Sequence, residues 1–468
     1  MKQKESPQNQ YRRLALDILI FIIGTVLAKA IQFILLPLYT SFMTTQAYGV
    51  AELINNLSEL FFPIATLCIY EAAFRYVVDS EFEDGRIIVA VIKVMTSSLC
   101  IGFIITLACK TLFHYKYAFY LFFILYAYSI RMCMAYYVRG MGLSKVFAMS
   151  GVVNAFSLGV FSIILLVILK TTIKGYLISI GLSYCVSTLY LLIRGRVVKD
   201  INIHVKSKSD LKILFCYCIP LVFYNVLYWF TTIAGRYILL WFTDSSTAGR
   251  YVAAIKIAAV INMVQQAVYA AFQLNSSRMY MEKEKEVYYS DIINLFISIY
   301  CTFGAFIVCL TPVLAKIALK NDFYSAKCYL PAIMFAALVN CISSLLGTMY
   351  STYKKTQKLI GVSIVGAIVN VGVGLILTPL FGIWGICIAS SCCYTCQAIY
   401  KFIDIARFCT INYNWKLIIS DILILLIIVL MMSISIPNKI GISLCFATIL
   451  LIINQKYIVH TLRMIRNK

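Results

Sequence analysis

Runs of roughly twenty apolar residues follow one another along almost the whole chain, and that repetition leaves few folds open. A helix needs about twenty residues to cross a hydrocarbon layer about 30 Å thick, and its backbone hydrogen bonds are then satisfied internally. About fourteen such runs are present. They predict helices at 14–40, 49–73, 87–109, 117–138, 146–169, 175–194, 213–241, 251–275, 288–312, 328–350, 359–379, 383–405, 415–435 and 439–457. Short segments of alternating polarity, the pattern of a membrane β-barrel, do not occur. The expected fold is therefore an all-α polytopic membrane protein. Composition agrees: 62% of the residues are hydrophobic and 13% charged, against roughly 45–50% and about 25% in a soluble domain.

The formal charge of +22 would point to nucleic acid in a soluble protein. Here most Lys and Arg residues lie in loops between apolar runs. With the N-terminus inside and the sides alternating, inner loops outweigh outer ones by about three to one, which predicts that both termini are cytoplasmic. The first thirteen residues are polar and basic. The run after them is too long for a signal-peptide core, so it reads as an uncleaved first helix. The 17 cysteines fall largely in apolar runs, where a free thiol behaves as a small hydrophobe. The scattered His114, His204 and His460 lie near no cysteine cluster. No metal and no cofactor is expected.

The two halves of the chain resemble each other. Residues 41–54, SFMTTQAYGVAELI, align with residues 242–255, FTDSSTAGRYVAAI. MSGVVN, ending at Asn154, matches VGAIVN, ending at Asn370. KGYLISIGLSY matches WGICIASSCCY, pairing Gly175 with Gly385 and Tyr184 with Tyr394. The matches keep the same order, and an even number of helices per half makes a parallel repeat. The expected organisation is a six-helix lobe over 1–193, a cytoplasmic linker over 194–212, a second six-helix lobe over 213–405, and two additional helices with a basic tail over 406–468.

Polar groups inside the apolar runs are the candidates for function, because charge at that depth is costly. Lys29 lies in the middle of the first run, with Thr25 and Gln32 on either side. In the second predicted helix Glu52, Asn55, Asn56 and Glu59 share one face. That face points into a wet cavity or makes interhelical contacts. In the seventh predicted helix Asn225, Tyr228, Trp229, Thr232 and Arg236 form another stripe, suited to phosphate through the guanidinium and to sugar rings through the aromatics. The alternative for Arg236, and for Lys256 in the eighth, is snorkelling to the interface. Arg131 and Lys93 are read at the inner mouth of a cavity or as interfacial anchors. Glu71 and Arg75, four residues apart, read as a local helical pair. Pro37 and Pro220, in the first helix of each half, permit a bend. Basic groups lining such a cavity suit a phosphate-bearing substrate.

These features resemble the Wzx-type flippases, the polysaccharide transporter branch of the multidrug/oligosaccharidyl-lipid/polysaccharide (MOP) superfamily. The carriers are GTVLAKAIQFILLPLYTSF from Gly24, AYG at Ala47–Gly49, EAAFRY at Glu71–Tyr76, CIPLVFYNVLYWFTTIAGRYIL at Cys218–Leu239, TAGRYVAAIKIA at Thr247–Ala258 and TPLFGIWGICIAS at Thr378–Ser390. The resemblance implies two lobes of the multidrug-transporter and lipid II flippase kind, working by alternating access, with a gate contact at Glu71 and Arg75. It implies a bacterial cytoplasmic membrane protein that moves undecaprenyl-diphosphate-linked oligosaccharides to the outer leaflet. Such units feed O-antigen, capsule or exopolysaccharide synthesis, with glycosyltransferases and a polymerase as partners. A drug or metabolite antiporter and a lipid II flippase are the other transporter readings. A membrane polysaccharide polymerase is disfavoured, because no outer loop is long enough for a catalytic platform.

Overall fold

The computed structural model describes residues 27, 30–31, 33–79, 84–197, 208–279, 285–353, 355–434 and 438–466. Among these residues there are helices and turns but no strand. The helices are α1 (Phe33–Phe42), α2 (Thr45–Thr66), α3 (Ile69–Asp79), α4 (Asp84–Leu112), α5 (Ala118–Gly140), α6 (Ser144–Ser162), α7 (Ile173–Arg194), α8 (Lys208–Thr232) and α9 (Ala234–Phe242). They continue with α10 (Ser245–Met279), α11 (Lys285–Cys309), α12 (Thr311–Ala318), α13 (Leu330–Thr352), α14 (Leu359–Phe381), α15 (Ile383–Ile405), α16 (Trp415–Ser433) and α17 (Lys439–Arg466). Nine helices among the described residues are long and apolar enough to span a membrane, or up to eleven if each of two bent pairs is one span. The described residues thus stop short of the fourteen spans expected, and much of the first run lies outside them.

Both bent pairs were expected as single helices. The second predicted helix breaks between α2 and α3 with a 58° bend. Pro63 sits in the last turn of α2, and Leu67 and Cys68 take positive φ values of 48° and 53°. Thr66 bridges the break: its hydroxyl donates to Phe62 O at 2.8 Å and accepts from Cys68 N at 3.2 Å. The seventh predicted helix breaks at Ile233, between α8 and α9, by 47°. The kink falls well after Pro220, which stays inside α8. The Asn370 amide on α14 donates to Thr231 O at 2.8 Å and to Phe230 O at 3.3 Å. An irregular stretch inside a membrane is tolerated when a neighbouring helix satisfies its freed carbonyls in this way.

The chain divides into two compact units, residues 1–35 with 50–229 and residues 36–49 with 230–468. The core of the first is built where α3, α4, α5 and α8 meet, from small and medium side chains such as Ala72, Ala73, Val91, Cys133, Val138 and Cys218. Small residues let helices approach closely where lipid supplies no hydrophobic drive between them. Cys68, Cys133 and Cys218 all belong to this core, serving as compact apolar fillers.

In the second unit the first turns of α2 and α10 cross at Gly49 and Gly249. A Cβ on Gly49 would collide with Ser245 O and stand 2.8 Å from Gly249 N; a Cβ on Gly249 would collide with Thr45 O and stand 2.9 Å from Gly49 N. The contact is reciprocal. It joins the two segments that align in the sequence, and Thr45 Oγ1 and Ser246 Oγ are hydrogen-bonded there at 2.6 Å.

Candidate functional site

In the first unit the polar face of α2 meets partners from α5, α7 and α8. Glu52 and Asn56 are both buried at 2% exposure. The Tyr176 hydroxyl on α7 donates to Glu52 Oε1. The Trp229 indole on α8 donates to Asn56 O at 3.1 Å, so the two predicted polar stripes touch. Asn55 is half-buried and Glu59 exposed. Glu59 lies within electrostatic range of Tyr128, Tyr184 and Tyr228. Asn225 turns instead into the core, its amide donating to Leu221 O at 2.8 Å and reaching Cys68 Sγ at 3.6 Å. Tyr228 is exposed and Thr232 half-buried.

Arg131, in the second half of α5, is fixed inside this cluster. Its Nε donates to Ser187 Oγ at 2.9 Å, Ser187 in turn donates to Ser150 O at 2.8 Å, and the guanidinium lies 6.0 Å from the Tyr184 ring centroid. Tyr184 and Tyr128 pack with centroids 5.1 Å apart. The first unit thus brings Glu52, Asn56, Glu59, Arg131 and Trp229 into one aromatic-walled polar cluster. A membrane-embedded arginine with such support is a fixed cation, able to hold an anionic group beside its neutral serine partner.

Glu71 and Arg75 sit on α3. Glu71 is half-buried and Arg75 exposed. Arg139, in the last turn of α5, lies within electrostatic range of Glu71. The Arg139 guanidinium lies 4.8 Å from the Phe74 ring and 5.5 Å from the Phe147 ring. Tyr217 of α8 lies within range of both Glu71 and Arg75. The predicted pair therefore belongs to a larger charged and aromatic group at this end of α3, α5 and α8.

In the second unit, Lys256 on α10 lies 5.3 Å from the Tyr48 ring centroid and 5.8 Å from that of Tyr39. The two rings stack at 6.3 Å, so the ammonium sits against an aromatic wall. Arg236 is half-buried and is the third residue of α9, just past the break at Ile233. Buried Tyr251 lies within its electrostatic range. Thr25, Lys29 and Gln32 lie outside the described residues.

Other buried polar groups were not singled out from the sequence. Lys401 on α15 is 7% exposed, and its ammonium donates to Ser343 O at 2.8 Å and Ser343 Oγ at 2.9 Å. Three residues on, buried Asp404 accepts from Lys358 at 2.8 Å. Asp421 on α16 and Asn454 on α17 are fully buried; the Asn454 amide donates to Asp421 Oδ2 and to Thr302 Oγ1 on α11, both at 3.1 Å. A lone carboxylate near the start of an otherwise very apolar run was the signal for Asp421.

A family model described as "Polysaccharide biosynthesis protein" matches residues 14–272, more than half of the chain. The chain belongs to the polysaccharide biosynthesis protein family. Solved structures give the fold. The lipid II flippase MurJ, in an inward closed conformation, superposes with a TM-score of 0.67 at 11% identity, covering 95% of this chain and 99% of that one. An outward-facing multidrug resistance MATE family transporter of the MOP superfamily gives a TM-score of 0.59 at 16% identity, over 83% and 94%. A MOP superfamily transporter from Pyrococcus furiosus gives 0.58 at 16% identity, over 83% and 95%. Among curated proteins no match is found. The family member described here is a multi-pass membrane protein with the MOP transporter fold, as its sequence motifs led one to expect.

Proposed function

We propose that this protein moves polyprenyl-diphosphate-linked oligosaccharide units from the cytoplasmic to the outer leaflet by alternating access. The setting is a bacterial cytoplasmic membrane, with both termini inside and undecaprenyl diphosphate as the lipid carrier. The observation that carries the reading is a pair of cations held by side chains in a polysaccharide biosynthesis family member: Arg131, within a candidate span, held by Ser187, and Lys256 of α10 set against Tyr39 and Tyr48. A diphosphate is the complement of such groups in a low-dielectric setting. Lys29 and Arg236 contribute further phosphate contacts. The polar face of Glu52, Asn55, Asn56 and Glu59, with Tyr228, Trp229 and Thr232, supplies hydroxyl and ring partners for sugars. Thr25 and Gln32 extend that polar lining, whereas Asn225 is engaged in the core. Glu71 and Arg75 act at a cytoplasmic gate. Glycosyltransferases deliver the cargo and a polymerase receives it; O-antigen, capsule and exopolysaccharide are the candidate products.

The test is surface polysaccharide export in cells that depend on this protein, carrying Lys29→Ala or Arg236→Ala. Loss of export, with lipid-linked units accumulating, is expected. Normal export by both variants at normal protein levels removes these residues from the substrate path.

A further inference from the structure

One side of α4 is left uncovered within the first unit. Lys93, Ser97, Ile101, Ile105 and Cys109 recur at every fourth residue and line a single cavity of about 630 Å³. Its other walls come from Phe61 and Ile64 on α2 and Phe122 on α5. At about 1.5 Å per residue the stripe runs roughly 24 Å along the helix. One end carries Lys93; the other carries Tyr115, in the turn before α5.

The walls are made for a hydrocarbon chain. Ile101 and Ile105 are 59% and 56% exposed. Two of the hydroxyls in the lining are already occupied: Thr106 donates to Gly102 O at 2.7 Å, and Ser98 pairs with the Tyr126 hydroxyl at 3.1 Å; Ser97 stands one turn from Lys93, at the charged end. Between those ends an apolar chain would lie mainly against apolar side chains, so little polar surface loses water. The volume falls inside the roughly 300–1,000 Å³ range of ligand sites.

Length decides what kind of chain fits. A leaflet is about 15 Å deep, half of the roughly 30 Å hydrocarbon core. A phospholipid acyl chain in a bilayer fills about one leaflet, whereas a stripe of roughly 24 Å is longer than one leaflet is deep. A single cation at one end and a long apolar channel beyond it match a long isoprenoid chain with a phosphate head. We propose that the groove holds the polyprenyl chain of the lipid carrier, with its phosphate at Lys93. This rests on the lipid-linked cargo proposed above and adds where the carrier's tail lies.

The test uses the full chain in phosphatidylcholine nanodiscs and counts retained lipid by native mass spectrometry. Undecaprenyl phosphate and phosphatidylglycerol are the probes. Variants are the double substitution Ile101→Trp/Ile105→Trp, which fills the groove; Lys93→Glu, which reverses its charge; and Ile376→Trp, an exposed site on α14, as control. The expected result is retention of undecaprenyl phosphate about tenfold above phosphatidylglycerol, lowered about tenfold by the groove substitutions and by Lys93→Glu, and unchanged by Ile376→Trp (tenfold being about 1.4 kcal/mol). Equal retention of both lipids would make this an ordinary phospholipid site and overturn the inference. So would polyprenyl retention indifferent to both groove variants, although the cargo reading would then survive. No polyprenyl retention by the unmodified chain would count against both. Lys93→Glu keeps the test decisive if the double tryptophan variant fails to fold.

Discussion

Breaking the Tyr176–Glu52 bond gives the most quantitative test of the polar cluster in the first unit. Both side chains are 2% exposed, and the tyrosine hydroxyl donates to a carboxylate oxygen. Hydrogen bonds to charged groups contribute about 1.5–3 kcal/mol net in water-soluble proteins. Interhelical bonds in membranes average nearer ~0.6 kcal/mol, with a maximum of about 1.7. A charge-assisted, fully buried bond belongs at the top of the membrane range, so a coupling of about 1.5 kcal/mol is expected, roughly a tenfold shift in the folded-to-unfolded ratio. Tyr176→Phe, Glu52→Met and the double variant close a double-mutant cycle, read by equilibrium unfolding in mixed micelles. Glu52→Met alone should cost more than the coupling, because Glu52 makes further interactions. Additivity of the two single substitutions within about 0.3 kcal/mol, the behaviour of independent sites, would refute the reasoning.

Gly49→Ala and Gly249→Ala should each destabilise the protein by roughly 1–3 kcal/mol, the range for overpacking, since each new methyl collides with the other helix's backbone; thermal unfolding of purified variants reads this. Asp421→Asn should be tolerated, because an amide oxygen still accepts from Asn454, whereas Asp421→Leu removes the acceptor of buried Asn454 and of Ser298 and should lower the unfolding midpoint more. Asp244, ahead of α10, accepts from Thr247 N at 3.1 Å. Bonding to Thr247, aided by nearby Arg250, holds its carboxyl below the usual range. A depressed folded value means that the stabilisation is present above the unfolded value near pH 4 and is lost as pH falls through the folded value. Asp244→Ala should therefore be less stable than the parent at neutral pH, with the gap closing in acid, as unfolding midpoints against pH will show.

The spans were legible because twenty apolar residues in a row have few other uses. Two segments that align in the sequence also touch: Gly49 and Gly249 meet face to face. The break at Ile233 was not. Proline marked Pro220 as the bend, but the irregular backbone is held by Asn370, more than a hundred residues later, and no local rule anticipates that partner. Glu52 and Asn56 stood out by their spacing on α2, yet Tyr176 and Ser187 did not, since tyrosine and serine are ordinary in apolar helices until a carboxylate or guanidinium faces them. Lys401 was passed over because it falls near the end of its run, where a lysine usually reaches the interface. Here Ser343 holds it inside instead.

The measurement closest to the central claim is transbilayer movement of a polyprenyl-diphosphate-linked oligosaccharide in proteoliposomes containing the purified protein. The account predicts that fluorescent cargo, inserted in one leaflet, becomes accessible in the other only when the protein is present, and more slowly with Arg236→Ala or Lys256→Ala. Movement no faster than in protein-free vesicles, from protein shown to be folded and inserted, would contradict it.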